Sequence, residues 1–411
     1  MFHPVMRRCA AVAACLALLG PAPALAAPFQ QWLDQQLRQH PAMTAAERLR
    51  DAGDAEADDL SRPRYNPDLT SQYEREGDAN NYRIGLSQTI DVWGKRRGAE
   101  HVAQATRDSA ALVYAERWAQ RRTDALQALV AWRAAAQRAE LAAEQEQQLG
   151  TLLSDIERRR QVGDLGAADS ALATLSSARV LADTAAVQAE LGRSEMELQA
   201  LLPAFSPTAP VPIPDALWSL PAAEHASAAS QHPRLLAARA QWQQLQQLAQ
   251  QARREYRADP TVGLNAGRSG DDSVIGVEVS IPLNLRDRYS ARQRLADQQA
   301  LAAEADYQSL ERELQFAAAA AASARDRYRE RLDQWQQRVA APLARSATLL
   351  HRQWQQGDLS TADYLQALQQ RREGLQAGIE LEAAWHTAYL DWLRDSGQLD
   401  AALAALTEQG L

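Results

Sequence analysis

Cysteine is nearly absent. The chain has two, Cys9 and Cys15, and both sit in an N-terminal segment that reads as a secretory leader. Arg7 and Arg8 precede an apolar run over residues 9–19, and Ala24-Leu25-Ala26 supplies an A-x-A cleavage pattern, so residues 1–26 are expected to be a signal peptide. The mature chain would then have no thiol, which suits an oxidising compartment without disulfides. A rival reading takes Val12-Ala13-Ala14-Cys15 as a lipoprotein box with Cys15 lipidated, although the run before it is short and apolar sequence continues after it.

Long hydrophobic runs are also missing. None reaches the ~20 residues that cross a bilayer as a helix, so any crossing of a membrane must be made by strands. Only Met43 and Met196 follow the leader, leaving no methionine cluster for a soft metal. Excess basic charge is lacking: the formal net charge is −8, a poor match to nucleic acid.

Catalytic signatures are absent too. There is no phosphate loop, G-x-G-x-x-G, H-E-x-x-H or G-x-S-x-G, and Gly94-Lys95 lacks the preceding glycine of a phosphate loop. His40, His101, His225, His232, His351 and His386 are scattered without ligand spacing. No enzyme, cofactor or metal site is expected.

What is present is alanine, glutamine, leucine and arginine, with only 4 Phe and 19 Gly in 411 residues. That bias favours long helices. The chain also repeats itself at a period of about 193 residues. His40-Pro41 returns as His232-Pro233, Asn66-Pro67 as Asp259-Pro260, and residues 86–92 as 279–285. The segment Gly163-Asp164-Leu165 returns as Gly357-Asp358-Leu359. The halves are residues 27–221 and 222–411. In each, a helix follows His-Pro, two strands follow, then a very long helix, a turn and a returning helix.

The strands are expected at 66–75 with 81–92, and at 260–268 with 274–285. Tyr82, Ile84, Leu86, Ile90 and Val92 share one face, broken once by Gln88, and Arg83, Gly85, Ser87, Thr89 and Asp91 share the other. Ile275, Val277, Val279, Ile281 and Leu283 alternate with Gly276, Glu278, Ser280, Pro282 and Asn284. Such lengths suit tilted transmembrane strands with lipid on one side and water on the other; soluble hairpins laid on helices would alternate in the same way. Four strands cannot close a barrel, so strands in lipid require several copies around one wall.

Residues 98–162 contain no proline and would make a helix roughly 95 Å long. Residues 290–355 run similarly, with a kink expected at Pro342. Helices this long need coiled-coil-like partners. The returning helix 167–202 is half the length of its partner, and helix 232–257 supplies the rest; helix 361–394 and residues 30–60 would likewise complete the second. Residues 203–221, with Pro207, Pro210, Pro212 and Pro214, would form a belt round the middle of a tube, joined by the sequence after Ser396. Eight of the ten tryptophans, Trp32, Trp93, Trp118, Trp132, Trp335, Trp354, Trp385 and Trp392, read mostly as helix contacts, except that Trp93, after a strand end, could belong to an interfacial girdle.

The tip turns fall at residues 162–166 and 356–360. Gly163 and Gly357 suit the left-handed position that ends a helix, and Ser360 with Asp363 reads as a capping box. Asp363 and Asp169 have two readings: helix caps, or members of an acidic ring at the far end of the tube that favours cations.

These residues together resemble the TolC-like outer-membrane efflux proteins. The likeness rests on residues 86–97, on 280–285, and on Pro342 through Gly357-Asp358-Leu359-Ser360 to residues 363–367, and it covers nearly all of the mature chain. The strand-end motifs look most like the CzcC-like heavy-metal branch. The resemblance implies a mainly α protomer with a small β part, giving four strands to a trimeric, twelve-stranded transmembrane β-barrel above a periplasmic α-helical barrel. It implies a homotrimer in outer-membrane lipid, docked on a periplasmic adaptor and an inner-membrane proton-driven pump, with no nucleic acid involved. Val162, Gly163, Leu165, Gly357 and Leu359 match the adaptor-contacting tip, and Asp363, with Asp169 as its counterpart, matches the pore gate. Ile84, Leu86, Ile90, Val277, Val279 and Ile281 would face lipid. Gln366 departs from relatives that carry a second acid, and Trp354 stands where an aromatic, commonly Tyr, precedes the glycine. The competing expectation is a soluble periplasmic coiled-coil scaffold or adaptor.

Overall fold

A computed structural model describes residues 29–208, 231–283 and 290–408. The expected leader with Cys15, most of the 203–221 segment, and residues 284–285 of the last expected strand lie outside the described residues.

The first helical segment is broken in two, α1 (Phe29–Arg38) and α2 (Pro41–Ser61). The break has a local cause. Pro41 has no N–H to donate and fits the first turn of a new helix, and the His40 ring caps it, its Nδ1 accepting from the Ala42 N–H at 3.0 Å. The same device starts α5 (Pro233–Glu255), where His232 Nδ1 accepts from the Arg234 N–H at 3.1 Å. The repeated His-Pro is therefore a helix-starting unit.

Strands β1 (Asp68–Glu76), β2 (Ala79–Thr89), β3 (Thr261–Ser269) and β4 (Asp272–Ser280) form one antiparallel sheet in the order β1-β2-β3-β4. The β2–β3 pairing joins the two repeats, with Leu86 opposite Leu264. The expected five-residue connections contract to two residues, Gly77-Asp78 and Gly270-Asp271. The pairs Glu76–Ala79 and Ser269–Asp272 close directly over glycines at φ 59° and 60°. Glycine at the first of two turn positions allows that tight geometry.

Helix α3 (Lys95–Gln161) has 67 residues and runs unbroken from sheet to tip. Its counterpart is α6 (Ser290–Trp335), a π-helical turn at Gln336–Ala340, and α7 (Ala341–Gln356). The π turn lies just before Pro342. Proline offers no N–H and its ring crowds the carbonyl four residues back, and a wider turn absorbs both defects. The returning helices are α4 (Ala167–Leu201) and α8 (Thr361–Asp395), and a short α9 (Leu399–Glu408) ends the described chain.

Half-length helices stack end to end as expected, but with their partners exchanged. His40 Nε2 reaches the Ala200 carbonyl at 2.9 Å, so α2 continues α4. His232 lies against the Arg394 end of α8, so α5 continues α8. Topology explains the exchange. The β1–β2 hairpin sets α2 beside α3 on the flank where α4 returns, whereas the β2–β3 pairing sets α5 between α3 and α6.

The largest core lies midway along the helices. Phe29, Leu33 and Leu37 of α1 meet Leu126 and Leu129 of α3, Leu198, Phe205, Leu390, Leu393 and Leu403. Arg122 fastens it: its guanidinium bridges Asp34 of α1 at 2.8 Å and Asp400 of α9 at 2.6 Å. The sequence after Ser396 packs onto this core as helix α9.

Candidate conduction surface, junction and tip

In an antiparallel sheet, residues directly opposite one another share a face. The register therefore sorts the side chains. One face carries the rows Leu69–Leu86–Leu264–Val277 and Ser71–Ile84–Ala266–Ile275, with Val262 and Val279 beyond them. The other carries Asp68–Ser87–Gly263–Glu278, Thr70–Gly85–Asn265–Gly276 and Gln72–Arg83–Gly267–Val274. Among the described residues nothing covers the apolar face: Ile275 is 85% exposed and Val277 71%. Ile84, Leu86 and Val279 share this exposed face. Ile90 and Ile281 lie just past the ends of β2 and β4 and are exposed as well.

The polar face alternates glycine with larger residues. A Cβ at Gly267 would run into the Tyr82 and Arg83 backbone, and one at Gly276 would stand 2.6 Å from the Asn265 side chain. Small residues on one face remove side-chain bulk that would resist bending toward that face. The polar interruption at Gln88 is also accounted for: its side-chain amide donates to the carbonyls of Tyr65 (3.2 Å) and Thr89 (2.9 Å).

Where sheet meets helices, three crossings of the chain are tied together. Lys95 Nζ lies 2.9 Å from Asp259 Oδ2, with both side chains buried. The Tyr65 hydroxyl donates to the same carboxylate at 2.7 Å, and the Val92 N–H donates to its other oxygen at 3.3 Å. Tyr65 leads into β1, Lys95 follows β2 and Asp259 leads into β3. Asp91 caps α3 by accepting from the Lys95 and Arg96 N–H groups at 2.9 and 2.8 Å. Lys95 is the single lysine among 44 basic residues. Motif reading missed this knot, and that compositional oddity was the one signal that pointed to it.

At the far end, both turns have the same build. Gly163 and Gly357 take φ 85° and 82°. The Asp164 N–H reaches the Arg159 carbonyl at 2.9 Å, and the Asp358 N–H reaches Gln353 at 3.0 Å, the six-to-one bond of a Schellman motif. Both candidate gate acids are caps. Asp169 Oδ2 accepts from the Gly166 N–H at 3.2 Å. Asp363 donates its own N–H to Ser360 Oγ at 3.1 Å while its carboxylate accepts the Ser360 hydroxyl at 2.7 Å. Asp363 is exposed and Asp169 half-buried.

The tip is held by a small core of its own: Leu149, Leu152, Ile156, Ala173, Trp354 and Tyr364. Trp354 stacks on Tyr364 at 5.3 Å, and Arg159 lies over the indole at 4.6 Å. Burial pushes the Tyr364 phenol up. Of the expected adaptor-contacting residues, Leu165 and Leu359 pack against this core, while Val162 is 73% exposed and both glycines are exposed. Farther up, burial first, with the Arg133 and Arg329 charges adding to it, lowers His386 to about 4.

Among the described residues no group of three or more His, Cys, Asp or Glu is placed to hold a metal, and no helix is long and apolar enough to cross a membrane.

A mainly helical protomer whose small four-stranded sheet exposes an apolar face, with two helix hairpins reaching a distant tip, defines the TolC-like fold class. The likeness becomes particular in solved structures. A membrane protein from Pseudomonas aeruginosa superimposes with a TM-score of 0.77 at 17% identity, over 90% of this chain and 94% of its own. The Campylobacter jejuni CmeC outer membrane channel gives 0.75 at 15%, over 93% and 89%. CusC, described for its transmembrane channel formation, gives 0.73 at 14%, over 90% and 92%. These neighbours are membrane and channel proteins, not enzymes. No protein-family model matches the chain, and no curated protein does.

Proposed function

We propose that this chain is one stave of an oligomeric outer-membrane exit duct, open to passive flow and energised by a separate pump. The observation that carries the reading is the sheet: one face largely apolar and exposed, the other polar and rich in glycine, with both edge strands unpaired among the described residues. An unpaired strand edge in hydrocarbon costs several kcal/mol for each unmet backbone group, so neighbouring copies must close it. Three copies supply twelve strands, the number implied by the resemblance to TolC-like proteins. The apolar rows then face lipid and the glycine-rich rows line the lumen.

The finer assignments rest on the resemblance to TolC-like proteins. The exposed tip, Val162 with Gly163 and Gly357, is the docking point for a periplasmic adaptor, with Leu165 and Leu359 stiffening it from behind. Asp363 and Asp169, set at helix starts around the tip, form the acidic gate. The cargo is heavy-metal cation if the strand-end likeness to the CzcC-like branch holds.

Fractionation tests the central reading. The duct predicts a heat-modifiable oligomer in the outer-membrane fraction. A monomer in the soluble periplasmic extract would instead support a coiled-coil scaffold.

A further inference from the structure

The exposed apolar face ends, on the helix side, in a ring of cations. Ile90 and Val92, after β2, and Ile281 and Leu283, after β4, are its last apolar side chains, and Trp93, 44% exposed, follows Val92. Trp93 is fixed in place: its indole N–H donates to the Ala258 carbonyl at 2.8 Å, and the Arg257 guanidinium covers its ring at 4.8 Å. Beside it lie Arg96 and Arg97, in the first turn of α3 and exposed.

The carboxylates of these two segments are already engaged. Asp91 caps α3, Glu100 pairs with Arg96, Glu255 pairs with Arg64, and Asp259 is buried against Lys95. Arg97 and Arg257 form no ion pair with any described residue. An exposed guanidinium stacked on an indole, with a second exposed arginine four residues along the chain from that indole, at the edge of an apolar band, matches one surface in chemistry: a phosphate-bearing headgroup whose acyl chains lie along the band.

We propose that this collar binds the phosphate of an anionic phospholipid, of the phosphatidylglycerol type, in the leaflet nearer the helices. The proposal rests on the reading that the apolar face lies in lipid. Two arginines near such a surface together set a preference of roughly tenfold or more over a zwitterionic lipid. Arg257 is pre-positioned by its contact with Trp93, and Arg97 by its place on a capped helix.

The experiment uses the full chain in vesicles of phosphatidylcholine alone, or mixed with phosphatidylglycerol. Flotation with phosphatidylcholine vesicles tests the lipid-facing sheet. Native mass spectrometry of the oligomer extracted from mixed vesicles then counts retained lipid. Wild type should hold phosphatidylglycerol in excess of its share, less so at high salt. The double variant Arg97→Gln/Arg257→Gln should float equally well but lose the preference about tenfold. Flotation without any phosphatidylglycerol preference in wild type, or a preference that survives in the double variant, overturns the collar alone. Failure of wild type to float with either vesicle overturns the lipid-facing sheet, and the collar with it. Displacement of the lipid by millimolar inorganic phosphate alone would reassign the arginines to a free-anion site and also refute the proposal.

Discussion

The Lys95 ammonium sits 2.9 Å from the Asp259 carboxylate, and the two side chains come from opposite repeats. Neither meets solvent. A buried ion pair adds little net stability, because desolvation offsets the attraction, but removing one partner strands the other charge and costs about 3–5 kcal/mol. Lys95→Met should therefore lower the denaturation midpoint of the oligomer sharply. Lys95→Met with Asp259→Leu should recover much of the loss, since no bare charge remains. Lys95→Arg tests geometry: a planar fork must fit where a compact ammonium meets one carboxylate oxygen that already accepts from Tyr65. If the double variant is no better than the single, the pair is not what ties the strands to the helices.

Neighbouring residues on β4 offer a sharp contrast. Val277 and Glu278 are consecutive and lie on opposite faces, Val277 opposite Leu264 and Glu278 opposite Gly263. Arginine at a lipid-facing position near the middle of a barrel costs about 2–4 kcal/mol. Val277→Arg should reduce the heat-stable oligomer recovered from membranes. Glu278→Arg should leave recovery intact and shift reversal potentials in planar bilayers toward anions. Equal effects on assembly from both substitutions would mean the faces have been assigned wrongly.

The capping and gating roles of Asp363 can be separated. Asp363→Asn keeps an oxygen to accept the Ser360 hydroxyl and removes the charge, whereas Ser360→Ala removes the cap and keeps the charge. Losing such a cap costs about 1 kcal/mol. If the acid gates the pore, block of single channels by divalent cations weakens in Asp363→Asn and persists in Ser360→Ala. Unchanged block in Asp363→Asn would leave only the cap.

The parts of the fold that depend on near neighbours in the chain were legible in advance. Alternation gave both faces of β2 and β4, and glycine followed by a capping box gave both tips, because those signals act within a few residues. His-Pro was legible as a helix start, but residues 30–60 were counted as one length, so the separate helix α1 before His40 was not. The exchange of stacked half-helices was invisible, since α2 and α5 have 21 and 23 residues and length alone cannot tell them apart. The knot of Tyr65, Lys95 and Asp259 left only its lone lysine as a signal, for a related reason: its members meet only after the two repeats pair through β2 and β3, and no spacing along the chain encodes that contact.

His386 gives the last test, through acidity. It is buried beside Trp385, with the ring centroids 4.8 Å apart, and its pKa is lowered to about 4 by burial and, secondarily, by Arg133 and Arg329. The sign follows from linkage. The unfolded chain takes up this proton near the ordinary histidine value of about 6.5, whereas the folded chain resists until about 4. Stability is therefore full above about pH 6.5 and falls as the pH drops toward 4, by roughly 2–3 kcal/mol at the low end. His386→Phe, which keeps a ring of similar breadth and cannot bind a proton, should flatten that part of the profile while leaving the neutral-pH midpoint within about 1.5 kcal/mol. The measurement is the denaturation midpoint of wild type and variant at steps between pH 7.5 and 4.5, an interval chosen about the ordinary histidine pKa. Parallel curves would show that the acid sensitivity does not come from His386.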